Sequence, residues 1–266
     1  MSLKDHIARS QLGAELQSQI LGKEAQAPKT LLDSSWRDFI FAEIWSRPEL
    51  DLRSRYLITI PSAASADTPR DLLEGYLRGA IQQACLTVEE LRELALHYAV
   101  YGGWSAGSVI DEALSTVVAD LGLSEAQTRP LRDTPWDPEE RLTRGAQEFH
   151  KVMTFGGPPP VSAYFEAGIL NFVFGEMWHR EGLDERSRRW VTLVGVANSS
   201  ADVPIRTHIY AAMASGNCTF VEMNEFVLQY AVHCGWPKAS FLQGVVFDMA
   251  NKLKDGLTWD GKPKTE

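Results

Sequence analysis

The sequence predicts an all-α protein made of two tandem helical domains, and three observations lead there. Apolar residues recur at helical period: in 88–98, Val88, Leu91, Leu94, Ala95 and Tyr98 fall on one stripe. Alternation with a period of two between hairpin turns is found nowhere in the chain. The chain also writes one pattern twice: "FAEIWSRPELDLRSRYLITI" at 41–60 returns as "FGEMWHREGLDERSRRWVTL" at 174–193, with ten of twenty positions identical. "TVEELRELALHYAVYGGW" at 87–104 likewise answers "TFVEMNEFVLQYAVHCGWP" at 219–237. A long repeat at a nearly fixed offset marks a duplicated unit. The boundary is placed near Asp133, giving domains 1–132 and 133–266, a division that suits a chain of 266 residues.

The elements follow in order. "ELQSQILG" near the start ends a helix that "EFHKVMTFG" at 148 repeats. Thr87 with Glu90 forms a T-x-x-E capping box, in which the threonine oxygen and the glutamate carboxylate satisfy the free N–H groups of a helix start; Gly102 and Gly103 mark the turn after that helix. "TRPLRDTPWDPEERL" at 128–142, with its prolines and dense charge, reads as a linker. "AYFEAGILNFVFGEMW" carries Ile169, Leu170, Phe172, Val173, Phe174, Met177 and Trp178 around nearly the whole helix circumference, which predicts burial on most sides, at a domain centre or a subunit interface. Thr219 with Glu222 repeats the capping box, Gly235 and Pro237 repeat the turn, and "ASFLQGVVFDMANKL" resumes helix.

Composition bounds the function. An apolar fraction of 44% and a charged fraction of 23% are those of a folded globular chain. A net charge of -9 has the wrong sign for a phosphate backbone, so nucleic acid is not an expected partner. The start has no apolar signal core, and no apolar run approaches the roughly 18 residues of a membrane span, so a soluble cytoplasmic protein is expected. Cys85, Cys218 and Cys234 have neither CxxC nor metal-ligand spacing and read as buried thiols. No metal site and no cofactor are implied.

The blocks "FGEMWHREGLDERSRRWVTL", "RTHIYAAMASGNCTFVEMNE" and "YAVHCGWPKA", with "FAEIWSRPELDLRSR", "EGYLRGAIQQACLTVEEL" and "LHYAVYGGW" in the first half, resemble the carboxymuconolactone decarboxylase family, the all-α relatives of alkylhydroperoxidase D. The resemblance covers most of the chain. It implies two alkylhydroperoxidase D-like domains and, because single-domain members form rings of six, a homotrimer of this chain with pseudo-sixfold character. It also implies a cofactor-free lyase or isomerase acting on a small anionic lactone or keto acid, the family's named reaction being loss of CO2 from a carboxymuconolactone. The family's peroxidase branch uses a CxxC pair ahead of the matching histidine. Here that stretch is "NSSADVPIRTH", without cysteine, so thiol-dependent peroxide reduction lacks its motif. A non-catalytic scaffold that assembles and binds a small molecule is the alternative.

The candidate catalytic residues are His208, Glu176 and His233, and the candidate substrate-binding residues are Arg186, Arg188 and Trp178. His208 stands where the family pattern has its histidine, follows a loop and opens a helix, and can move a proton near neutral pH. Its counterpart in the first half is Tyr76, whose phenol titrates far from neutrality, so one complete site per chain is expected. Glu176 sits within an apolar helical run and requires a partner, expected to be Arg186 or Arg188 about one loop away; it is either a tuned acid or base or one half of a structural ion pair. His233 replaces Tyr101 of the first half, and His97 replaces Gln229 of the second. Glu222 is accounted for by its capping box.

Overall fold

A computed structural model describes residues 5–125, 127, 131, 135 and 137–264. Helix α1 (His6–Leu21) begins on Asp5, whose carboxylate accepts from the Ile7 and Ala8 amides. Helix α2 (Leu31–Ser35) opens on a Thr30–Asp33 capping box and runs straight into a π-helical segment, Trp36–Ile44. Then come α3 (Leu52–Ser65), α4 (Arg70–Gln82), α5 (Val88–Gly102) and α6 (Trp104–Asp120). The order recurs with α7 (Pro138–Met153), a second π-helical segment (Tyr164–Phe174), a 3-10 turn (Met177–His179), α8 (Glu185–Asn198), α9 (Asp202–Ala214), α10 (Phe220–Cys234) and α11 (Trp236–Lys254). The described residues contain no strand, only an isolated bridge between Leu257 and Pro263. The all-α expectation stands.

Local chemistry sets these boundaries. Both T-x-x-E capping boxes form, at the starts of α5 and α10. A second pair of caps went unread in the sequence: Asp51 accepts from the Ser54 amide at 2.8 Å to open α3, and Asp184 accepts from the Ser187 amide at 2.7 Å to open α8. Gly103 and Gly235, with φ of 91° and 90°, turn the chain between α5 and α6 and between α10 and α11, a backbone region that disfavours side chains.

Helices α3 and α8 form the centre. Every residue from Ser54 to Ala63 and from Ser187 to Ala197 is buried. The two helices pack on each other, and each takes a partner from the opposite half of the chain: α5 lies on α8, and α10 on α3. One apolar core therefore runs from Ile20 through Tyr98, Trp190 and Tyr230 to Met249, and a smaller cluster of Phe149, Val152, Leu170, Phe174 and Trp178 lies beside it. The proposed boundary at Asp133 lies outside the described residues.

The structure corrects the reading of "AYFEAGILNFVFGEMW". Within the chain this segment is not buried all round: of Tyr164–Phe174 only Leu170, Asn171 and Phe174 are buried, and Tyr164 is exposed. It packs mainly on α7, which covers one side. Its helix also ends at Phe174, so Glu176 lies at a chain bend ahead of the 3-10 turn and not within the helix.

Candidate active site

His208 sits in the interior of α9 rather than at its opening, and is 7% exposed. Its ring stands edge-on to Tyr101, with centroids 5.5 Å apart and an interplanar angle of 86°. Tyr101 belongs to the last turn of α5, and it comes this close to α8 because Gly195 faces it: a Cβ there would lie 2.4 Å from the Tyr101 Cβ. The Tyr101 hydroxyl accepts a hydrogen bond from Trp178 Nε1 at 2.8 Å. One helical turn back on α5, His97 stands edge-on to the Trp178 indole at 5.2 Å, and its Nε2 lies 2.9 Å from Thr192 Oγ1 on α8. The guanidinium of Arg189 covers the Trp178 ring, with Cζ 5.2 Å from the ring centroid.

Two polar atoms in this cluster are buried without a hydrogen-bond partner, His208 Nδ1 and Arg189 Nη1. Buried polar groups in folded proteins are overwhelmingly paired, so two orphans at one place mark where a ligand group fits. Burial, reinforced by the Arg189 charge, lowers the His208 pKa to about 3, and burial with the Arg188 charge lowers that of His97 well below the ordinary histidine value. Both imidazoles are neutral at physiological pH. His208 then offers one N–H and one lone pair. Burial also pushes the Tyr101 phenol up to about 12, so it stays protonated.

Behind the aromatic cluster lies a charge network. Glu93 on α5 takes a two-pronged contact from Arg180 and a weaker one from Arg188 at 3.5 Å, while Arg188 also donates to the Arg180 carbonyl at 2.5 Å. Arg188 is 1% exposed and reaches His97 Nδ1 at 3.3 Å. Arg186 points elsewhere, to Glu222 at 2.7 Å and Asp51 at 3.2 Å. Glu176 pairs with Arg141 of α7 at 2.5 Å. The expected pairing of Glu176 with Arg186 or Arg188 is thus corrected. The bend after Phe174 turns the carboxylate towards α7, whereas the two arginines on α8 face α5 and the start of α10.

His233 falls in a second cluster, built from the matching positions. Its ring is edge-on to Tyr76 of α4, at 5.5 Å and 85°, with Nε2 3.2 Å from the Tyr76 hydroxyl and Nδ1 3.2 Å from Thr68 Oγ1. Trp45 stacks on Tyr76 at 5.9 Å. Behind them Arg55 bonds Glu225 at 2.9 Å, Gln229 Oε1 at 2.8 Å and the Arg47 carbonyl at 2.9 Å, and Gln229 bonds Thr59 at 2.9 Å. Each cluster therefore pairs a histidine with a tyrosine, edge to face, with their helices exchanged: imidazole from α9 and phenol from α5 in the first, phenol from α4 and imidazole from α10 in the second. His208, Glu176 and His233 do not share one site.

Arg189 is the residue that sequence reasoning missed. The signal was present, because the repeat has Tyr56 at that place, and Tyr56 spends its hydroxyl on the Ile20 carbonyl at 2.9 Å. His208 and Tyr101 could not be joined from spacing alone, since they come from different halves.

A family model described as the carboxymuconolactone decarboxylase family matches residues 31–114, which include Arg55, Tyr76, Glu93, His97 and Tyr101. The 4-carboxymuconolactone decarboxylase of Acinetobacter baylyi is 30% identical over 125 residues, 44% of this chain and 91% of its own length. The nitrosuccinic acid decarboxylase of Metarhizium robertsii is 32% identical over 88 residues, 32% of this chain and 61% of its own length, so less than two thirds of that relative is spanned. With a helical fold, the matching motifs and a relative covered over most of its length, this chain belongs to the carboxymuconolactone decarboxylase family.

Proposed function

We propose that this protein is a cofactor-free carboxy-lyase acting on a small anionic lactone or keto acid at the His208 cluster. The observation that carries the reading is His208 itself: buried, neutral, edge-on to a fixed tyrosine and without a partner for Nδ1. Loss of CO2 from such an acid breaks the bond between the carboxylate and the neighbouring carbon. The electron pair passes to that carbon and onto the adjacent carbonyl oxygen as an enolate, and a proton then returns to carbon. Neutral His208 supplies an N–H to the enolate oxygen or relays the returning proton. The indole of Trp178 and the ring of Tyr101 give a dry wall, which favours conversion of a charged carboxylate to neutral CO2. Both relatives carry decarboxylase names, which supports a reaction of this class. Screening lactone and keto acids for CO2 release, with His208→Ala as control, tests the reading; no release from any of them by the folded protein counts against it.

The same proposal includes two features of organisation. Paired caps, paired clusters and exchanged helices support duplication of one unit, with α5 and α10 swapped between the halves. Aromatic pairs at matching places, Trp104 with Phe172 and Phe39 with Trp236, of which all but the half-buried Phe172 are exposed, support assembly into a closed trimer. Light scattering giving the single-chain mass of 29.6 kDa at all concentrations would remove the trimer.

One observation favours a scaffold role for the second cluster. Both nitrogens of His233 are occupied, by Tyr76 and Thr68, so its imidazole is engaged where Nδ1 of His208 is left open, although Trp45 Nε1 and Arg55 Nε of that cluster are also buried without a partner.

A further inference from the structure

We infer that Arg189 is the anchor for a carboxylate of the substrate, through its unpartnered Nη1, and that the His208 site therefore selects acids over their esters while the His233 cluster binds no anion. The inference rests on the proposed site and adds the group that reads the substrate's charge.

Three arginines stand behind the first cluster; Arg188 Nε and Arg189 Nη1 are both buried without a partner, but of the three only Arg189 lies over the Trp178 ring. Arg188 and Arg180 share Glu93. Arg189 gives Nε to Asn217 Oδ1 at 3.0 Å and Nη2 to the Val152 carbonyl, with Glu185 at 3.4 Å, and this leaves Nη1 buried and unbonded. Glu185 is itself shared with Lys151 at 3.4 Å. The Arg180, Arg188, Arg189 and Lys151 cations thus face three carboxylates, Glu93, Glu185 and Glu148, the last bonding Lys151 at 3.1 Å. The other cluster is balanced in charge: Arg47 and Arg55 face Glu225 and Glu49, so the buried, unpartnered Arg55 Nε belongs to a cation already neutralised. Tyr56 at the Arg189 position adds no charge and has its hydroxyl engaged.

The orphan donor is also well placed. The guanidinium carbon lies over the Trp178 ring, 5.2 Å from its centroid; the Trp178 N–H holds Tyr101, whose ring abuts His208. The Arg189 charge is felt at both His208 and Tyr101. Stacking on an indole leaves the N–H edges of a guanidinium free, and that edge matches a carboxylate. A buried N–H without an acceptor is costly in the free protein, and an incoming carboxylate supplies that acceptor. A neutral ester cannot do so to the same extent.

The test uses the full chain and a γ-lactone carboxylic acid, 5-oxotetrahydrofuran-2-carboxylic acid, against its methyl ester, by titration calorimetry. Wild type is expected to bind the acid at least about tenfold more tightly than the ester, the scale of a charge-assisted bond, at one acid per chain. In Arg189→Met, of similar length and uncharged, the acid should lose that advantage and the ester should bind as before. Because Arg189 also ties Val152 and Asn217, Arg189→Lys is run beside it; the retained charge should keep a reduced preference for the acid. Equal binding of acid and ester by wild type overturns the inference, as does an undiminished preference in both variants or two acids bound per chain. Acid-selective binding without CO2 release from any lactone or keto acid would leave the anchor standing and remove the lyase reading. CO2 release by folded Arg189→Met with wild-type kcat and KM would do the reverse.

Discussion

Acidifying the protein should unfold it partly through His208, and the size of the effect can be worked out. The folded pKa of this imidazole is about 3, against 6.5 when unperturbed. A depressed folded pKa means that the unfolded chain binds a proton the native state refuses, so stability is unaffected above 6.5 and falls steadily as the pH drops from there towards 3. Each pH unit in that window costs about 1.4 kcal/mol, so at about pH 5 the single imidazole removes about 2 kcal/mol. His97 and His233 are shifted in the same direction and add to the trend. Urea denaturation of wild type and His208→Gln at about pH 7 and about pH 5 isolates the His208 share, because glutamine keeps a polar side chain of similar reach without titrating. The difference between the two pH values should shrink by about 2 kcal/mol in the variant. If the variant shows the same acid loss as wild type, His208 is not held neutral by burial, and the account of its environment fails.

Two further substitutions probe the frame around the site. Gly195→Ala places a Cβ 2.4 Å from that of Tyr101, so α5 and α8 must separate; a loss of about 1–3 kcal/mol in thermal or chemical denaturation is expected, and wild-type stability would show that the contact between the helices yields freely. Glu93→Gln removes the carboxylate shared by Arg180 and Arg188 and leaves a buried guanidinium without its counter-ion, for an expected cost of about 3 kcal/mol or more. A loss under about 1 kcal/mol in the same assay would mean that the network stays solvated.

The helices could be read from the sequence because their signals are local. T-x-x-E at Thr87 and Thr219 names the first turn of α5 and α10, and the glycines at 103 and 235 end them. The centre of the fold could not be read so. Hydrophobicity pointed to Tyr164–Trp178, yet the buried helices are α3 and α8, whose serines, threonines and arginines look like surface. Those polar groups are tolerated inside because α5 and α10 bring Glu93, His97, Glu225 and Gln229 to meet them, a pairing across the repeat that no window along the chain contains. For the same reason His208 was found, as a residue in a matching motif, while its neighbours Tyr101 and Arg189 were not. The sequence pairs Glu176 with the wrong arginines, Arg186 and Arg188, because its partner, Arg141, lies far back on α7.

The central claim is that chemistry belongs to the His208 cluster, whose imidazole is open, and not to the matching one, which is closed by the Tyr76–His233 contact. The most direct measurement is the rate of CO2 release, on whichever lactone or keto acid the wild-type protein decarboxylates, by His208→Gln and Tyr76→Phe, each checked for folding by circular dichroism. The account predicts that His208→Gln slows kcat by about a hundredfold or more, the usual worth of a positioned proton-transfer group, while Tyr76→Phe stays within a few-fold of wild type. Equal losses in the two variants, or full activity in His208→Gln, would contradict it.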